Sequence, residues 1–170
     1  MSEFIFEDCL TEFEVTSGNI PPEAMGFADE DTRALRRTLL LEEVREYLEA
    51  EENDDLENCF KELCDILYIV FGTAFHYGLP ITSGFKEVHK SNMSKFENGE
   101  PVFREDGKIL KGKDYFPADM AKVMFFWTYA LEHAAEIDAF YTKVKANGFD
   151  EAKAVELLAD KINEAYDRSK

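Results

Sequence analysis

The sequence has few of the residues that staple, bend or anchor a chain. Three cysteines, Cys9, Cys59 and Cys64, are scattered over 170 residues with no CxxC pair. That set gives no disulfide framework, and three reduced, partly buried thiols are expected. Histidine is equally scarce, and no Cys/His cluster has the spacing of a zinc site. No run approaches the ~18–20 apolar residues of a membrane helix. The longest apolar stretch ends at Phe71 and is interrupted by Glu62 and Asp65. The opening MSEFIFEDCL carries acids where a signal peptide places basic residues before an apolar run, so a cytoplasmic protein is expected. Cations are in short supply too: 19 Lys plus Arg face 36 Asp plus Glu, a formal net charge of −17. Nucleic acid and anionic membrane, both polyanions, are therefore excluded as main partners.

What is present is apolar enough to fold. Hydrophobic residues make up 45% and aromatics 14%, too much for a disordered acidic chain. The length suits a single domain, 1–170. Phe4, Phe6, Leu10 and Phe13 suit a short helix before the loop at Pro21-Pro22. From Thr32 to Glu52 there is neither Gly nor Pro, with Asp29 or Asp31 as N-cap. A second long helix is predicted from about Leu56 to His76, stopping before Gly78 and Pro80, and a third from about Ser83 to Phe96. Residues 101–110 carry Asp106-Gly107 between short apolar runs, the pattern of a small β-hairpin. Residues 118–146 are helix-rich, and Asp150 caps a last helix to about Arg168. The expected fold is an all-α bundle of about five helices with that hairpin inserted.

The second long helix carries the most information. Leu56, Phe60, Leu63, Leu67, Val70 and Ala74 share one face, and apolar character extends most of the way round. Such a helix is expected in the middle of a bundle. Yet one narrow stripe bears Asn58, Glu62 and Asp65, the two acids at i, i+3. In the preceding helix Glu42, Glu43 and Glu46 share a broad stripe with Leu35 and Leu39. A turn at Asn53–Asp55 sets the helices antiparallel, with the pairs Glu43/Glu46 and Glu62/Asp65 at comparable depth. Buried like charges need cations. Four converging carboxylates suit hard divalent ions, Mg²⁺ or Mn²⁺; ion pairs with nearby Arg or Lys, or solvent exposure, would serve as well.

Glu43-x-x-Glu46 followed by Glu62-x-x-Asp65 resembles the ExxE…ExxD signature of the all-α NTP pyrophosphohydrolases, the superfamily of MazG, the phosphoribosyl-ATP pyrophosphohydrolases and the dimeric dUTPases. The context LRRTLLLEEVREYLEA, KELCDILYIVFGTAFHYGLP and VHKSNMSK, then DGKILKG, resembles a MazG-like branch that some phages carry, including MazZ-type enzymes acting on guanine deoxynucleotides. The resemblance covers about residues 31–120. Residues 121–170 add helices that no motif covers, and Ala118 stands where the branch often has a second proline.

The resemblance implies hydrolysis of a nucleoside triphosphate between its α and β phosphates, giving a monophosphate and pyrophosphate. Glu43, Glu46, Glu62 and Asp65 are then the expected metal ligands, one of them, or Glu42, orienting the attacking water. Asn92 and Lys95, three apart on the third helix, with Lys108, Lys111 and Tyr115, are the expected substrate contacts. His76 fits a helix end better than ligation, and His89, just before the SNMSK run, is placed to contact the nucleotide. Phe13 and Trp127 offer rings that can stack on a base or pack in a core. The resemblance implies a homodimer or homotetramer, and Val123–Leu131 is a candidate interface. A different class of reading, an acidic interaction protein mimicking DNA, needs neither the SNMSK nor the GK…KG run. A di-iron carboxylate bundle wants Glu-x-x-His, which neither acidic helix has.

Overall fold

The computed structural model describes residues 5–170, with no side-chain description of Ile5; Phe4 lies outside this range. Seven helices run through the described residues: α1 (Ile5–Thr16), α2 (Glu30–Glu52), α3 (Leu56–Tyr77), α4 (Ile81–Met93), α5 (Met120–Glu132), α6 (Ala134–Ala146) and α7 (Glu151–Ser169). They divide into two compact units, one ending at Thr82 and the other running from Ser83 to Lys170. No single described helix is long and apolar enough to cross a membrane.

The first unit is built on the α2–α3 hairpin. Asp29 caps α2, accepting hydrogen bonds from the Thr32 backbone N–H at 2.9 Å and its hydroxyl at 2.8 Å. Asp55 caps α3 by accepting from the Asn58 N–H at 3.1 Å. Each cap satisfies an N–H that the first helical turn leaves without a partner. Between the helices Asp54 takes a left-handed φ of 55° to reverse the chain. Gly78, with φ 64°, closes α3. Helix α1 lies against α3: Leu10 is buried, Phe6 packs on Phe71 at 5.6 Å, and Phe13 meets Tyr68 edge-on at 5.5 Å.

A polar lock joins α1, α2 and α3. Glu14 of α1 is buried, and its carboxylate lies 3.6 Å from Arg36 Nη1, 3.3 Å from His76 Nε2 and 2.6 Å from the donating Asn19 Nδ2. Arg36 also donates to the Ile69 carbonyl at 3.0 Å and the Thr73 hydroxyl at 3.3 Å. Gly72 makes room for it: a Cβ there would stand 1.9 Å from Arg36 Nη2. The sequence signal for the lock is slight: Glu14 falls four residues after Leu10, on the face α1 buries.

In the second unit α5, α6 and α7 pack together, with Val144, Ala154, Ile162 and Tyr166 buried. Phe125 packs 5.2 Å from Tyr166. The expected single stretch over 118–146 is broken at His133, which is C-cap to α5 and N-cap to α6. Helix α4 ends three residues before the predicted Phe96, so Lys95 lies in the turn beyond it.

The predicted β-hairpin at 101–110 is not seen. The turn is there, with Gly107 at φ 82° and Arg104 N–H bonded to the Lys108 carbonyl at 2.8 Å, but only an isolated bridge, Phe103 to Ile109, forms. The reason is burial: Val102 and Phe103 are exposed, and two short strands without a covered apolar face do not sustain a ladder.

Candidate functional site

The antiparallel register that brings Arg36 against Ile69 and Thr73 also brings Glu43 against Glu62 and Asp65, two turns along α2. Carboxylate oxygens of Glu43, Glu62 and Asp65 all lie within 4.8 Å of one another. Glu62 is buried at 5% exposure, and the other two are half-buried. Burial, followed by the charges of Asp65, Glu46 and Glu62, pushes the Glu43 carboxyl above its ordinary value. Both effects penalise a carboxylate in the absence of a cation.

Lys61 supplies a countercharge. Its ammonium lies 3.0 Å from both Glu62 oxygens and 2.8 Å from Asp65 Oδ2. Hydrogen bonds to Asp65, then Glu62, hold Lys61 well above the usual lysine value. It stands four residues before Asp65 on α3, one helical turn away on the same face, so one ammonium meets both acids from their own helix. Glu46 is outside the tight trio. It lines, with Glu62, a polar cleft of about 240 Å³ at the hairpin turn, together with Glu49, Asn53, Asp55 and Asn58. No Lys or Arg lines that cleft. Oxygen donors alone, clustered and short of cations, fit a hard divalent ion.

The apolar stripe of α3, expected in the middle of a bundle, is instead open from Leu56 to Leu67 and covered only toward Ala74. Leu56, Phe60, Leu63 and Leu67 are 82%, 71%, 48% and 46% exposed, while Glu62 on the same helix is buried. Helical periodicity defines an apolar face without saying what covers it. Helix α2 likewise leaves Leu35, Leu41 and Leu48 open.

The remaining predicted contacts lie in the second unit. Lys95 Nζ donates to Asn92 Oδ1 at 2.6 Å. Lys111 Nζ sits 4.3 Å from the centre of the Tyr115 ring. A hydrogen bond with Ser91, then the charges of Lys111 and Lys95, holds the Tyr115 phenol below its ordinary value. Asn92, Lys95, Lys111 and Tyr115 thus form one polar group around the end of α4. Gly112 is needed there: it donates to the Lys95 carbonyl at 3.2 Å, and a Cβ would stand 2.7 Å from that oxygen. Lys108 is apart from the group, in the turn at Asp106, whose carboxylate accepts its backbone N–H at 3.2 Å. His76 serves the Glu14 lock rather than the acidic cluster, and His89 is exposed.

Residues 17–92 match the phosphoribosyl-ATP pyrophosphohydrolase family model. The match places this segment in the all-α NTP pyrophosphohydrolase superfamily, as the acidic signature implied. It takes in α2, α3 and all four signature acids, and ends at Asn92, before Lys95. The phosphoribosyl-ATP pyrophosphohydrolase family is one of pyrophosphohydrolases, which supports a hydrolase activity for this segment. A search of curated proteins finds no match.

Proposed function

We propose that the chain is a divalent-metal-dependent nucleoside triphosphate pyrophosphohydrolase, cleaving between the α and β phosphates to release a monophosphate and pyrophosphate. The observation that carries this reading is the Glu43–Glu62–Asp65 trio inside a matched pyrophosphohydrolase segment. Glu43, Glu62 and Asp65, with Glu46 beside them, would hold Mg²⁺ or Mn²⁺. Such an ion, when bound, neutralises phosphate charge and lowers the pKa of a coordinated water. A carboxylate of the cluster takes the proton of the attacking water, and Lys61, on its exposed stem, would yield its place beside Glu62 and Asp65 to a bound ion. Asn92, Lys95, Lys108, Lys111 and Tyr115 are the proposed substrate contacts, in which ammonium groups balance the triphosphate. Deoxynucleotides, guanine among them, fall within the proposed substrate class.

The motif-bearing core, about 31–120, and the helices of 121–170 act as one cytoplasmic domain in this reading. The open leucines and Phe60 of the α2–α3 hairpin support a homodimer or homotetramer, because a contiguous apolar face is costly to leave in water. The test is turnover of nucleoside triphosphates with Mg²⁺ or Mn²⁺. Activity lost on chelation and in Glu62→Gln is expected. Turnover that persists in Glu62→Gln would overturn the assignment, and a folded protein inert toward every nucleotide would favour an acidic interaction protein.

A further inference from the structure

The second unit holds a cavity of about 350 Å³ between α4 and α5 that shares no residue with the acidic cluster or with the proposed substrate contacts. Its composition is unusual for so acidic a chain. Lys86 and Lys90 line it from α4 and Lys122 from α5, while Val123, Phe126 and Trp127 form an apolar, aromatic wall. On α4 the cavity residues recur at the four-residue spacing of one helical face, and Asn92 falls on the opposite side.

The two acids at the rim are already engaged. Glu87 Oε1 accepts the Asp119 N–H at 3.2 Å. Asp119 caps α5 by accepting the Lys122 N–H at 2.9 Å, and its carboxylate also accepts from the Tyr166 hydroxyl at 3.3 Å. Lys90 and Lys122 are held less tightly. Lys90 Nζ is 3.7 Å from Glu87 Oε2, longer than a hydrogen bond, and Lys122 Nζ stands 5.6 Å from the Phe126 ring centre. An anion can therefore gather ammonium groups without breaking a close pair at Lys90. A ring entering with it finds the indole and phenyl faces. The volume lies at the lower end of the ~300–1,000 Å³ range of small-molecule pockets.

We propose that this cavity is a second ligand site for an aromatic phosphate of nucleoside monophosphate size, its phosphate held by Lys90 and Lys122 and its ring against Trp127. The site is independent of the catalytic reading.

Trp127 is the sole tryptophan in the sequence, so its fluorescence reports on this cavity directly. With divalent ions chelated, titration with AMP or GMP should change that emission saturably. Adenosine should bind more weakly, and inorganic phosphate should not produce the same change. Lys90→Gln/Lys122→Gln should weaken AMP binding about ten-fold or more, as expected for loss of two charge-assisted contacts. Glu62→Gln should bind AMP as wild type does, which separates this site from catalysis. Calorimetry on Trp127→Ala, a residue 42% exposed whose truncation spares the core, should show the same weakening. No emission change up to millimolar AMP, an unchanged affinity in the double lysine variant, or loss of binding in Glu62→Gln would overturn the proposal.

Discussion

Replacing Gly72 by alanine sets two effects of opposite sign against each other. Within a helix, Gly→Ala alone should stabilise by about 1 kcal/mol. Here the new Cβ would lie 1.9 Å from Nη2 and 2.8 Å from Cζ of Arg36, distances no side chain tolerates. Arg36 has to move, and it carries hydrogen bonds to the Ile69 carbonyl and the Thr73 hydroxyl as well as the Glu14 ion pair. Hydrogen bonds to a charged group are worth about 1.5–3 kcal/mol each. A buried carboxylate that loses its cation costs about 3–5 kcal/mol at the limit, which Asn19 and His76 reduce here by keeping their contacts with Glu14. Partial loss of these contacts, less the propensity gain, leaves a net destabilisation of about 2–4 kcal/mol. Urea unfolding followed by far-ultraviolet circular dichroism measures it. The same substitution in an Arg36→Met background removes the branched guanidinium from Gly72, and the sign should reverse toward the propensity value. A stabilising Gly72→Ala in the wild-type background would refute the close approach and the lock built on it.

Other substitutions probe the site and its surroundings. Lys61→Gln removes the ammonium from Glu62 and Asp65, so Mn²⁺ should bind several-fold more tightly and raise the melting temperature more at equal concentration, following the ligand-linkage relation. Calorimetry and thermal melts read it, and an unchanged Mn²⁺ affinity would show that Lys61 does not compete for the cation position. Phe60→Glu/Leu63→Glu should leave helix content unchanged and convert an oligomer to a monomer in sedimentation equilibrium. Gly112→Ala should push the 111–115 loop off Lys95, raising KM for the triphosphate more than it lowers kcat.

Local chemistry made much of this legible in the sequence. Caps at Asp29, Asp55 and Asp150 and the stop at Gly78 are decided within one helical turn, and the residues that make them are few in kind. The acidic trio was legible because two i, i+3 pairs flank a short turn, which sets their depth. What failed to show in the sequence depends on neighbours distant along the chain. The Asp106-Gly107 turn was visible, but a ladder needs a covered face that Val102 and Phe103 do not find. The break at His133 lies in good helix-forming sequence without Gly or Pro, so no local residue announces it. Leu56, Phe60 and Leu63 marked an apolar face, but periodicity could not say that the fold of one chain leaves it open. The Glu14–Arg36 lock depends on long side chains reaching across helices, which spacing along one helix does not encode.

The most direct test of the central claim is to follow a panel of ribo- and deoxyribonucleoside triphosphates by ³¹P NMR with and without Mg²⁺ or Mn²⁺. Metal-dependent growth of pyrophosphate and monophosphate resonances is expected, with no diphosphate intermediate and no activity in Glu62→Gln. Release of orthophosphate with a nucleoside diphosphate, or no turnover of any triphosphate by the folded protein, would contradict that claim.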